Sequence, residues 1–124
     1  MELLVYKASA GSGKTFTLAV EYIKLLILNP RAYRQILAVT FTNKATAEMK
    51  ERILSQLYGI WTEDPDSDAY LKRIIEETGK QTDEIRKSAG IALSYMLHDY
   101  SRFRVETIDS FFQSVMRNLA RELE

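Results

Sequence analysis

Apolar positions fall along the chain in two rhythms: short continuous runs, and longer stretches in which they recur every three to four residues. Leu3-Leu4-Val5-Tyr6 and Ile36-Leu37-Ala38-Val39-Thr40-Phe41 are runs of strand-forming residues, and the second has the length and content of a parallel strand buried on both faces. Between them, Phe16 to Leu28 is apolar nearly all round and stops at Asn29-Pro30, which predicts a helix packed against a sheet on one side and another helix on the other. From Asn43 to about Tyr58, Met49, Ile53 and Leu57 recur every four positions with Leu54 and Tyr58 beside them. That spacing predicts an amphipathic helix, capped by Thr42 or Asn43.

Thr62-Glu63-Asp64-Pro65-Asp66-Ser67 is a turn cluster and the clearest internal boundary. Two helices follow as a hairpin. The first runs from about Asp68 to Thr78 with Tyr70, Leu71, Ile74 and Ile75 inward and Gly79 as its stop; the second starts near Thr82 and aligns Ile85, Ala89, Ala92, Leu93, Met96 and Leu97. Phe103 to Thr107 alternates apolar and polar and is a third candidate strand. Ser110 and Gln113 then match a capping box for a last helix, expected to bury Phe111, Phe112, Val115, Met116, Leu119 and Leu123. The pattern as a whole predicts a helix-rich α/β chain with about three parallel strands and an inserted helical hairpin. The expected sections are 1–60, a βαβα unit; 61–102, the helical insert; and 103–124, a strand with its helix.

Composition narrows the picture modestly. At 124 residues the chain is one domain or part of one, smaller than most complete nucleotide hydrolase cores. Seventeen basic and seventeen acidic residues cancel, so any nucleic-acid surface has to come from a local basic face. The absence of cysteine removes disulfides and thiolate metal sites and is compatible with a reducing compartment, so the cytoplasm is the expected location. Glu2 and the lack of a positive leading segment do not resemble a secretory signal, and the run 16–28 is too short to span a bilayer and contains Glu21 and Lys24; no membrane partner is expected. His98 reads as a helix-end or surface residue, and Tyr58 and Trp61 as cover for the core.

The chemistry is concentrated in Ala8-Ser9-Ala10-Gly11-Ser12-Gly13-Lys14-Thr15. Small residues let successive backbone N–H groups turn inward around anionic oxygens, and the helix that follows presents its electropositive end to the same ligand. Lys14 adds a full charge, and Thr15 stands where the G-x-x-x-x-G-K-[ST] pattern places a hydroxyl on Mg²⁺. Ala8 replaces the first glycine of that pattern, yet strand, loop and helix follow in the required order. The expected ligands are ATP and Mg²⁺, with Ala8 to Thr15 binding the nucleotide and Lys14 as the catalytic charge.

Downstream, VTFTNKAT at residues 39–46, continuing AEMKERI, closely resembles motif Ia of the UvrD-like superfamily 1 DNA helicases. With ASAGSGKT before it and VETIDSFFQSVMRNL after it, the order resembles motifs I, Ia and Ic of that family, above all its RecB and AddA helicase–nuclease branch. The resemblance implies a RecA-like P-loop NTPase motor-domain fragment with a role in double-strand-break repair or recombination. The partners it implies are DNA, further helicase domains and a second subunit. It further implies that Ala8 is a trait of the branch. It places Phe41, Thr42, Asn43 and Lys44 where such helicases touch single-stranded DNA, and Thr107, Ser110 and Phe111 on the DNA backbone. An aromatic ring at a strand end can stack on a base, and hydroxyl, amide and ammonium groups suit phosphate. Asp109 stands where relatives commonly carry histidine; either it turns away to cap the last helix or the DNA path differs locally, and capping is the reading taken.

The resemblance implies that hydrolysis needs an Asp-Glu pair at the end of a further strand. Glu63-Asp64, Glu76-Glu77 and Asp83-Glu84 do not follow buried apolar strands, so the chain by itself is expected not to hydrolyse ATP. In related sheets the strands of the first two motifs are separated by later ones; without them the sheet is expected to close by a different pairing or to recruit a second copy. The alternatives are a different P-loop enzyme such as a small-molecule kinase, which leaves VTFTNKAT unexplained, and a nucleotide-binding module without turnover.

Overall fold

A computed structural model describes residues 2–5 and 12–123 of the chain, with side chains described from Thr15 onward. Its elements alternate as the hydrophobic rhythm requires: β1 (Glu2–Val5), α1 (Ser12–Leu28), β2 (Ile36–Thr40), α2 (Asn43–Trp61), α3 (Asp68–Thr78), α4 (Thr82–His98), β3 (Val105–Thr107) and α5 (Ile108–Glu122). Short 3-10 turns at 32–35, 65–67 and 100–102 join them.

The strands form one parallel sheet in the order β1-β2-β3. Leu3 lies opposite Leu37 and Val5 opposite Val39, while Ala38 and Thr40 lie opposite Val105 and Thr107. β1 therefore pairs directly with β2 and no strand stands between them, so the sheet closes by its own pairing. All five residues of β2 are buried, as expected of a central parallel strand covered on both faces. Phe41 lies just past its end and is 53 % exposed.

Among the described residues one core joins α1, β2, α2, α3, α4 and the start of β3. Leu18, Tyr22, Ile23, Leu26 and Ile27 of α1 share one apolar cluster with Ile36 and Ala38 of β2, Met49, Ile53 and Leu57 of α2, Ile74 of α3, and Ile85, Ala89 and Met96 of α4. The α3–α4 hairpin is thus part of this core, because its inward residues have no other apolar surface on which to close. Phe16 packs on Tyr70 with ring centroids 4.6 Å apart, and Tyr22 meets the edge of Phe103 at 5.7 Å. Gly79 ends α3 in the left-handed conformation, its N–H bonded to Ile75 O. Gly59 is required by close approach, since a Cβ there would collide with the Ser67 hydroxyl of the returning turn.

Four expectations are corrected. α1 starts at Ser12, four residues before the apolar run, because the small residues ahead of Phe16 already join the helix. Leu97 is exposed, since α4 turns its inner face through Ala92, Leu93 and Met96. Phe103 is buried but precedes the strand, which starts at Val105 after the turn at 100–102. The largest correction concerns α5, where no residue is buried: Phe112, Val115, Met116, Leu119 and Leu123 face outward, and Phe111 is half-buried. Only one flank of that helix rests on the sheet.

Two features yield measurable consequences. The Tyr22 hydroxyl is buried and has no hydrogen-bond partner among the described residues, and burial pushes its pKa up. Removing an unsatisfied buried hydroxyl relieves its desolvation cost, so Tyr22→Phe is expected to leave stability unchanged or raise it by about 1 kcal/mol in a denaturant titration. A clear loss would show that the hydroxyl is engaged.

Lys24 Nζ donates to Glu21 Oε1 at 2.9 Å and to Glu77 Oε1 at 3.1 Å, tying α1 to α3, while Arg73 bonds the other oxygen of Glu77. The bonds from Lys24 and then Arg73 hold the Glu77 carboxyl below its ordinary value of 4.5. A depressed carboxyl contributes stability above its ordinary pKa and loses it as the pH falls through the depressed value. Thermal melts between neutral and acidic pH are expected to show a steeper loss below pH 4.5 for the wild type than for Glu77→Gln. Parallel curves would contradict the linkage.

Candidate functional site at the carboxyl edge of the sheet

Because the three strands run parallel, their carboxyl ends lie on one edge, and each feeds a helix that starts there. Six residues, 6–11, connect β1 to α1; two, Phe41 and Thr42, connect β2 to α2; none separates Thr107 from Ile108. The helix starts bring unpaired backbone N–H groups and positive dipole ends to the same edge, where α/β sheets receive ligands. No acidic residue lies in the first turn of α1 or α2, whereas α5 carries Asp109 in its first turn.

The first turn of α1 is Ser12-Gly13-Lys14-Thr15. In a helix these are the four positions whose N–H groups lack an intrahelical acceptor, which suits an anion. Thr15 is half-buried and already has an interaction within the chain. Ala8, Ser9, Ala10 and Gly11 lie outside the described residues.

Two sequence-predicted residues at the other helix starts share one geometry. Thr42 Oγ1 accepts from Ala45 N at 3.0 Å and caps α2, which settles the choice between Thr42 and Asn43. Thr107 Oγ1 accepts from Ser110 N at 3.2 Å and caps α5. Each hydroxyl is used as an acceptor, so its hydrogen remains to be donated outward. Phe41, Thr42, Asn43 and Lys44 are all exposed at this edge. The expected Ser110–Gln113 capping box and the capping role of Asp109 are corrected: the extended backbone of Thr107 runs straight into the helix, so the cap falls two to three residues earlier. Asp109 and Ser110 are exposed on the first turn, and Phe111 points partly toward the sheet.

The family model for the UvrD/REP helicase N-terminal domain matches residues 2–124. The chain belongs to that family. It is 39 % identical over 83 residues to the RecB subunit of the RecBCD enzyme of Escherichia coli, an alignment covering 57 % of this chain and 7 % of that protein. Similarity extends to the ATP-dependent DNA helicase UvrD1 of Mycobacterium leprae, 52 % over 50 residues (40 % of this chain, 6 % of that one). It also extends to an ATP-dependent helicase/nuclease subunit of Clostridium perfringens, 40 % over 73 residues (57 % and 6 %). The chain thus spans less than a tenth of the length of these curated relatives. No solved structure matches it.

Two residues of this helicase N-terminal domain that sequence reasoning did not single out hold the α2 edge in place. Thr40, buried at the end of β2, has its Oγ1 2.6 Å from Thr46 Oγ1 and 3.2 Å from Thr42 O, so strand end, loop and first helical turn are bonded together. A threonine closing an otherwise apolar buried run was the available signal, because such a hydroxyl needs a partner. The remaining residues behave as surface groups. His98 ends α4, exposed, with Nδ1 2.7 Å from Ser94 O. Trp61, half-exposed, lies against Gly90 of α4. No helix of the described residues is long and apolar enough to cross a membrane.

Thr42→Val removes the cap acceptor and the outward hydroxyl while keeping the side-chain shape. It is expected to lower stability by about 1 kcal/mol in a denaturant titration. An unchanged midpoint would show that the cap contributes nothing.

Proposed function

We propose that the chain is the ATP-binding segment of an ATP-dependent DNA helicase or translocase with a RecA-like P-loop fold, acting in double-strand-break repair or recombination. One observation carries this reading: parallel pairing brings the starts of α1, α2 and α5, each bearing one of the three motifs, to a single edge. A nucleotide held at one helix start is thereby adjacent to single-stranded DNA held at the other two.

In this reading Ala8 to Thr15 enclose the phosphates, with Lys14 neutralising charge and Thr15 as the residue for Mg²⁺. A metal held there by the Thr15 hydroxyl would offset the negative charge of the phosphates. Phe41 stacks on a base, the Thr42 and Thr107 hydroxyl hydrogens donate to phosphate oxygens, and Lys44 supplies charge beside Asn43. Ser110 and Phe111 continue the DNA path along the first turn of α5, with Asp109 directed away from the phosphates. Residues 1–60 form the nucleotide unit, 61–102 the helical insert and 103–124 the third-motif segment. The cytoplasm is the proposed location, and the further partners are the remaining helicase domains and a second subunit. Because the chain carries no Asp-Glu pair after a buried strand, it is proposed to bind ATP without hydrolysing it, the behaviour of a nucleotide-binding module.

Calorimetric titration with ATP and Mg²⁺ tests the nucleotide site: Lys14→Ala is expected to weaken binding at least about tenfold, near 1.4 kcal/mol. Equal affinities would contradict it. Fluorescence anisotropy with a labelled oligothymidylate tests the DNA edge. Lys44→Ala is expected to reduce the salt dependence of binding by about one phosphate contact, and Phe41→Ala to lower affinity by about 1–3 kcal/mol at every salt concentration. Unaltered binding in both variants would place DNA elsewhere.

A further inference from the structure

Thr40 ends β2, is 1 % exposed, and has a hydroxyl at which three segments meet. Its Oγ1 lies 2.6 Å from Thr46 Oγ1 in the first turn of α2, 3.2 Å from Thr42 O in the loop and 3.5 Å from Glu106 O in β3. Thr46 Oγ1 is also 3.2 Å from Thr42 O, which takes the Thr46 backbone N–H at 3.0 Å. Across the sheet, the register partner of Thr40 is Thr107, the cap of α5. Each hydroxyl donates once and can accept as well, so two hydrogens serve these acceptors. When Thr40 donates to Thr46, Thr46 donates to Thr42 O and the pair braces the loop. When Thr46 donates to Thr40, the Thr40 hydrogen goes to Thr42 O or to Glu106 O, and the second choice runs a chain of two hydroxyl bonds from α2 to β3.

We infer, on the DNA reading of this edge, that Thr40 and Thr46 are positioning residues: they hold the starts of α2 and α5 at a fixed spacing, so that both grip one single strand of DNA as a unit. The ladder between β2 and β3 fixes the strand ends, but Phe41 and Thr42 lie beyond it and are exposed. The hydroxyl pair ties that two-residue loop back to the buried strand end. A strand of DNA held at one helix start then meets the other at a set distance, which raises the effective concentration of the second contact. Removing either hydroxyl loosens the loop without removing a group that faces DNA, since Thr40 is buried and Thr46 is half-buried with its oxygen turned to Thr40 and Thr42. Neither removal leaves a buried donor unpaired. In Thr40→Val the Thr46 hydrogen still reaches Thr42 O, and in Thr46→Val the Thr40 hydrogen still reaches Thr42 O or Glu106 O. Both variants are therefore expected to fold.

Double-mutant cycles on the binding of a labelled oligothymidylate to the full chain test this, with Phe41→Ala at the α2 start and Ser110→Ala at the α5 start. Each substitution is expected to weaken binding. The two together should weaken it by less than the product of the single effects, the shortfall being at least about threefold. In a Thr40→Val background the effects should multiply, while Thr40→Ser, which keeps the hydroxyl, should restore the shortfall. A general loss of stability lowers all the affinities together and leaves this ratio alone. Should Thr40→Val disturb the circular dichroism spectrum, Thr46→Val takes its place, with Thr46→Ser as its rescue. A wild type that does not bind the oligonucleotide overturns the DNA reading and the coupling with it. A wild type that binds but shows multiplying effects, or a shortfall that persists in Thr40→Val and Thr46→Val, overturns the coupling alone. So does a single substitution without effect, since no second contact is then present to couple.

Discussion

Parallel pairing on both sides of β2 is the constraint from which the rest of the chain follows. A parallel neighbour cannot be reached by a hairpin, so β1 must return to β2 through α1, and β2 must return to β3 through α2, α3 and α4. The same pairing buries Ile36, Leu37 and Val39 completely, each contributing roughly 1.5–3 kcal/mol through apolar burial. Handedness and direction then leave no freedom about where the following helices begin. Their starts share one edge.

That edge is built from threonines. Thr107 ends β3 and Thr42 lies two residues past the end of β2; each opens a helix and engages its oxygen with a backbone N–H of the next turn. Thr40 and Thr46 brace the same loop from beneath. The outcome is a row of fixed backbone donors and outward hydroxyl hydrogens beside an exposed aromatic ring, on a scaffold whose strand ends are held by ladder bonds. Such pre-ordering reduces the entropy lost when a charged polymer settles on it.

The elements were legible in the sequence where a buried face imposed its period. β2, α2, α3 and α4 fall within a few residues of the pattern because Met49, Ile53, Leu57, Ile74, Ile85, Ala89 and Met96 all meet one core. α5 shows the limit of that reasoning. Its stripe is strongly periodic, yet periodicity reports only that a face is apolar and not that anything within the chain covers it. The cap of α5 was also misplaced, because Ser110 and Gln113 satisfy the capping spacing while the chain direction at Thr107 decides where the helix starts. At the site, Phe41 to Lys44 stand exposed at the start of α2. Thr40 and Thr46 escaped notice because their role depends on a distance across the loop that spacing alone does not reveal.

The proposed site requires nucleotide and DNA to meet at one edge. Amide chemical-shift mapping of the isotopically labelled chain, titrated first with ATP and Mg²⁺ and then with an oligothymidylate, tests it most directly. ATP is expected to move the amides of Ser12 to Thr15, and DNA those of Phe41 to Lys44 and Thr107 to Phe111. Shifts confined to α3 and α4, or none at all on saturation with either ligand, would contradict it.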